Sequence, residues 1–264
     1  MSVYAITLAF CNPGILDISL RQFHSTRNLD LKLGGHFIVD QCYPMHRPEV
    51  DRTLRTLAAD LPITILRPGR NLGLHNGFNW AMGQIGSIGN NDIVIGYDGD
   101  SLPIHQGWDM ALVRAIEGRR SGMNSHEAVV WSTLGNPRSL SDIEDRGYDE
   151  AVADGYLRMR LARTAVTNSV CAWRYGWLKA VGFLAEPRAF YGHLEAEMWA
   201  RLRNSERWAI LPDYRESDEL RNLHDREYVA YKWFHSHTDT WRGDFESYLN
   251  AGCPGLSLSP AEIP

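Results

Sequence analysis

The chain has 264 residues, 44% hydrophobic and 22% charged, with a formal net charge of -5; that length suits one embellished domain better than two. The charge excludes an overall basic field of the kind that draws a protein onto nucleic acid or an anionic bilayer, and no run of about 18 apolar residues offers a spanning helix.

In chain order, "VYAITLAF" (3 to 10) predicts a strand that stops at Asn12-Pro13-Gly14, read as a turn. "ILDISLRQF" (15 to 23) spaces its apolar residues at helical intervals, and "HFIVD" (36 to 40) is a second strand ending in an acid. "PEVDRTLRTLAADL" (48 to 61) is a helix opened by Pro48, whose fixed φ suits a first turn. "ITILR" (63 to 67), "GLHNGFNWAMGQI" (73 to 85) and "DIVIGY" (92 to 97) follow as strand, helix and strand. This alternation predicts a mainly parallel sheet covered on both faces. Further on, a helix is expected over 105 to 118, a strand over 128 to 134, and a mobile polar loop with some helix over 135 to 165. A strand (165 to 173), helices (174 to 181 and 194 to 203), a last strand (208 to 212) and a tail rich in His and Trp complete the chain. The start "MSVYAITLAFCNPG" has no charged region of the secretory kind, and Cys11, Cys42, Cys171 and Cys253 show neither CxxC nor zinc spacing. Reduced thiols in a cytoplasmic protein are the expectation.

A sheet of this type binds ligands at the carboxyl ends of its strands, where "YDGDSLP" places Asp98 and Asp100 and where Asp40 ends the second strand. Two ionised carboxylates about 6 Å apart repel by about 3 kcal/mol at an effective dielectric near ~20, so a cation is expected between them. Hard oxygen ligands suit Mg2+ or Mn2+, ions that bridge carboxylates to phosphate oxygens. Asp and Gly are also ordinary turn residues after a strand, and that plainer role is the alternative.

These residues resemble the metal-dependent GT-A glycosyltransferases, family 2 above all. "YDGDSLP" matches the DxD signature, and Gly107-Trp108 matches the aromatic GW that often follows it. "NLGLHNGFN" sets Asn71, Gly73 and Asn79 where the family carries a pattern close to N-x-G-x-x-x-x-x-N. Asp40 falls where the family turns an aspartate toward the nucleotide base, and "YGHLEAEMWARL" is similar to the acidic stretch that carries its catalytic base. Leu194 replaces one acid of that stretch, Phe78 stands where many members are polar, and "VDQCYP" departs from the usual polar run.

The resemblance implies one GT-A domain over 1-264. Its nucleotide-sugar-binding half is 1-104, its acceptor-binding and catalytic half 105-212, and its tail 213-264 packs near the site. It implies Asp98 and Asp100 on the metal, a nucleoside-diphosphate sugar donor (a UDP-sugar first), and inverting transfer to an acceptor hydroxyl. Glu195 is the implied general base, with Glu197 two positions on and so on another helix face. His224 is the first candidate for a further metal ligand, ahead of His235 and His237. An acceptor glycan, glycolipid, protein or modified nucleic acid is compatible, and oligomeric state is open. Trp108, Trp131, Trp173 and Trp177 are candidates for stacking on a sugar, although core filling is the default for each. His75, Asn76 and His193 read as loop hydrogen-bonders, and Pro13-Gly14 as a turn beside the nucleotide. The rivals are a nucleotidyltransferase acting on a sugar phosphate, for which "FCNPGILD" lacks a basic loop residue, and a catalytically dead carbohydrate-binding module. A phage-type DNA-base glycosyltransferase, with Arg119, Arg120, Arg138 and Arg146 along a groove, is a narrower version of the main reading.

Overall fold

The computed structural model describes residues 1–9, 13–41, 48–103, 106–117, 128–131, 143–144, 159–162, 170–180 and 207–210. Strands β1 (Val3–Ala9), β2 (Leu33–Asp40), β3 (Ile63–Leu66) and β4 (Ile93–Asp98) alternate with helices α1 (Pro13–Thr26), α2 (Pro48–Asp60) and α3 (Leu74–Gln84). After α4 (Trp108–Glu117) come β5 (Ala128–Trp131), β6 (Ile143–Glu144), β7 (Met159–Ala162), β8 (Val170–Arg174), α5 (Tyr175–Ala180) and β9 (Arg207–Ile210).

The strands form one sheet in the order β3-β2-β1-β4-β8-β5-β9-β7-β6. It is the mixed α/β sheet expected. Pairing is parallel throughout β3-β2-β1-β4, and β8 runs antiparallel to both β4 and β5. The central strands are apolar on both faces because both faces are covered: β1 and β4 are buried along nearly their whole length. On one face α1 presents Leu16, Leu20 and Phe23 at helical spacing, meeting Val50, Leu54 and Leu57 of α2 near the edge and Trp108 of α4 near the centre. Phe23 meets Tyr97 edge-on at 5.0 Å and Trp108 at 5.2 Å, contacts of about 0.5–1.5 kcal/mol each beyond area burial. The other face carries α3 and α5, whose Phe78, Met82 and Leu178 cluster with Trp173 of β8.

Two expectations need correction. Pro13 and Gly14 open α1 rather than forming a turn, because proline lacks only an N–H that a first helical turn leaves unbonded anyway. Within 135 to 165, expected as a loop with some helix, β6 and β7 are short strands paired antiparallel, with β7 joined to β9. The expected helix at 194–203 lies outside the described residues.

Candidate active site

Parallel register sets the carboxyl ends of three neighbouring strands level. Ala9 of β1 stands opposite Asp40 of β2, and Leu8 stands opposite Asp98 of β4. Asp40 and Asp98 therefore end the strands flanking β1, two strand spacings or about 10 Å apart. Between β1 and β4 the strand order reverses, with α1 on one face and α3 on the other. This is the crevice where open α/β sheets take their ligands.

Asp98 opens a tight turn. The Ser101 amide donates to the Asp98 carbonyl at 3.1 Å, leaving Gly99 and Asp100 as the central residues. Asp98 and Asp100 are half-buried. The residue between them is closely packed: a Cβ on Gly99 would stand 3.2 Å from Leu16 Cδ1 and 3.4 Å from the Leu8 carbonyl oxygen, so a larger residue would require the Leu16 side chain to give way. The chain then runs alongside α1. Gln22 donates to the Pro103 carbonyl (2.8 Å), the Gly107 amide to the Thr26 carbonyl (2.7 Å), and the Asn28 amide to Asp109 (2.7 Å).

Asp40 is 2% exposed. The guanidinium of Arg67, the residue after β3, donates to it at 3.2 Å and also reaches Asp51 of α2. Residue 41 ties this end of the sheet to the next loop. The Gln41 amide donates to the Ala9 carbonyl (3.0 Å). Its side-chain oxygen accepts from the Leu72 amide (2.8 Å), and its nitrogen donates to the Gly73 carbonyl (3.3 Å). Asn71 Oδ1 accepts from the Gly73 amide at 2.9 Å. Gly73, at φ 77, turns the chain into α3 through a conformation that favours glycine.

The structure thus brings Asp40, Asn71, Gly73, Asp98 and Asp100 to one rim of the sheet. Asn79 is half-buried in α3, about 7 Å along the axis from the helix start at ~1.5 Å per residue. Trp108 and Trp173 are core residues, 0% and 2% exposed, which removes them as sugar platforms. Glu195, Glu197, His193, His224, His235, His237 and the four arginines at 119, 120, 138 and 146 lie outside the described residues, as does the side chain of Trp131. Cys171 is buried; the other three cysteines lie outside the described residues.

Arg67 and Gln41 are site residues that the sequence reading missed. A cation directly after the third strand was the available signal for Arg67.

Two carboxylates, Asp98 and Asp100, sit on one turn, and hard oxygen donors of this kind suit a small hard cation. Among the described residues no group of three or more His, Cys, Asp or Glu able to hold a metal is found.

Comparison with solved structures finds the same fold in several glycosyltransferases. The mannosyltransferase PcManGT from Pyrobaculum calidifontis, in complex with GDP-Man and Mn2+, aligns at a TM-score of 0.57 and 17% identity, covering 95% of this chain and 68% of that one. TarS 1-349 of S. aureus in complex with UDP gives 0.57 at 13% identity over 88% of this chain and 64% of that one. GalNAc-T7 with UDP, GalNAc and Mn2+ gives 0.57 at 12% identity over 99% and 57%. The chain therefore spans less than two thirds of the TarS and GalNAc-T7 chains. No protein-family model and no curated protein matches it. At these identities the likeness establishes the fold, and it is the GT-A fold expected from the sequence.

Proposed function

We propose that the chain is a metal-dependent glycosyltransferase that moves a sugar from a nucleoside-diphosphate sugar to an acceptor hydroxyl. One observation carries the reading: Asp98 and Asp100 stand on a fixed turn at the strand-order reversal of a GT-A sheet, level with buried Asp40 across β1. Neighbours of this fold bind GDP-Man with Mn2+ and UDP.

In this reading the residues 1-104 hold the donor. Asp40, aimed by Arg67, accepts from an N–H on the edge of the nucleobase. The loop of Asn71 and Gly73 lies against the nucleoside. A Mn2+ or Mg2+ ion held by Asp98 and Asp100 would neutralise the charge that develops on the diphosphate leaving group. On the acceptor side, within 105-212, Glu195 takes the hydroxyl proton as the hydroxyl attacks in line, which inverts the anomeric centre. His224, in the tail, would be a further ligand of the ion. A UDP-sugar is the first donor to test and a cytoplasmic site of action the expected one; among the described residues no helix is long and apolar enough to cross a membrane.

The test is a binding and hydrolysis screen against UDP-, GDP- and dTDP-sugars with and without Mn2+. Turnover of at least one sugar nucleotide only with Mn2+ is expected. Turnover of a nucleoside triphosphate with a sugar phosphate instead would transfer the site to a nucleotidyltransferase. Asp100→Asn is expected to abolish Mn2+-dependent donor binding. Glu195→Gln should spare binding and lower turnover by about 10²–10⁴-fold, the usual worth of a positioned base; an unchanged rate would remove Glu195 from that role.

A further inference from the structure

The residue before the first acid is a tyrosine whose hydroxyl is used beneath the turn. Tyr97, Ser19 and Ser101 are each 0% exposed. The Tyr97 phenol donates to the Ser101 carbonyl at 2.7 Å, and the Ser19 hydroxyl donates to the same oxygen at 2.7 Å. The two hydroxyl oxygens lie 3.1 Å apart. Both lone pairs of one carbonyl, a single residue past Asp100, are thus engaged by buried donors from two elements, β4 and α1.

Packing alone does not call for this arrangement. A phenylalanine at 97 would keep the edge-on contact with Phe23, and an alanine at 19 would suit a buried helix face. What the hydroxyls add is direction, since a hydrogen bond fixes distance and angle where apolar contact fixes neither. The restrained atom also sits where restraint matters. The turn is closed between Asp98 and Ser101, so pinning the Ser101 carbonyl pins the backbone that carries Asp98 and Asp100. Two carboxylates on one turn repel until a cation arrives, and a loose turn would splay them apart. A held turn keeps the ligands in place beforehand, so binding loses less freedom.

We propose that Tyr97 and Ser19 are positioning residues whose hydroxyls clamp the Asp98–Ser101 turn and preset its carboxylates for a divalent cation and the pyrophosphate of the donor. The inference rests on the glycosyltransferase reading and extends it to residues that never touch the ligand.

Calorimetric titration with MnCl2 plus UDP, and with MnCl2 plus GDP in parallel, tests it on the full chain. Wild type should bind one of the two with Mn2+ and more weakly in EDTA. The double variant Tyr97→Phe/Ser19→Ala should raise the Mn2+-dependent Kd about tenfold while leaving binding in EDTA unchanged. In turnover it should raise KM and the Mn2+ activation constant with little change in kcat, because the clamp serves ground state and transition state alike. Ser19→Thr, which keeps the hydroxyl, should restore wild-type Mn2+ dependence when placed with native Tyr97. If the double variant melts early, Tyr97→Phe alone keeps the ring and should still raise the Mn2+-dependent Kd about threefold. Wild-type Mn2+-dependent affinity in the folded variants overturns the clamp and leaves the glycosyltransferase reading intact. Absence of Mn2+–nucleotide binding in wild type overturns that reading and the clamp with it.

Discussion

His36 is fully buried between β2 and α1, bonded through Nε2 to Thr7 Oγ1 at 3.0 Å and through Nδ1 to His24 Nε2 at 3.1 Å. Phe23 lies over its ring at 4.2 Å, and Arg27 is the nearby cation. A bond between two imidazoles needs one nitrogen to accept, so it fails when both rings carry two protons. Burial first, then the neighbouring charges, hold His36 well below its ordinary pKa. Burial, then Arg27, lowers His24 to about 4. Both shifts favour the neutral rings of the fold. Their contribution to stability is therefore complete above the unfolded value of about 6.5 and is lost as pH falls from there toward 4. Melting temperatures measured between pH 7.5 and 4.5 should drop across that window, and His24→Gln should flatten the slope. A wild-type melting temperature independent of pH over this range would contradict the arrangement.

Among the elements, α5 shows how a short helix is fixed by its first turn. The Tyr175 amide donates to the Asp92 carbonyl and the Gly176 amide to the Asn90 carbonyl, both at 2.9 Å. A Cβ on Gly176 would come within 2.7 Å of that Asn90 oxygen and 2.9 Å of Asn90 Cβ. Alanine gains about 1 kcal/mol of helix propensity over glycine, but overpacking costs about 1–3 kcal/mol and the displaced turn weakens both hydrogen bonds. Gly176→Ala should thus destabilise by about 1–2 kcal/mol, lowering the melting temperature by roughly 3–6 °C; a rise would show that the 89–91 turn yields freely. Legibility also divides by element. The strands and helices from β1 to α4 announce themselves through their apolar pattern, since all but the four-residue edge strand β3 bury an apolar face, and period is what a sequence displays. The two-residue β6 and four-residue β7 do not, since their pairing comes from partners elsewhere in the sheet rather than from their own residues. The site divides in the same way. Asp40, Asp98 and Asp100 are legible as acids at strand ends. Gln41 and Ser19 are not, because the groups they hold lie 31 and 82 positions away.

For the molecule as a whole, ligation and stability are linked. A ligand that binds only the folded chain adds RT ln(1 + [L]/Kd), about 2.7 kcal/mol at a hundredfold excess over Kd. Mn2+ with the preferred nucleoside diphosphate should therefore raise the melting temperature by roughly 5–10 °C at that excess, and EDTA should reverse the gain. A shift as large in EDTA as with Mn2+ would place the ligand away from Asp98 and Asp100. The strand order has a further consequence, for biosynthesis. β4 gains its second neighbour only when β8 arrives, and β8 then slots between β4 and β5. About 70 residues separate Asp98 from Val170, so at ribosomal speed the edge of the apolar "IVIGY" strand waits roughly 4–14 s for its cover. During that interval a nascent chain exposes a template for sticking to others like itself. Changes that slow the docking of β8 will accordingly cost soluble yield in the cell even where the finished molecule, once purified, is as robust as its parent.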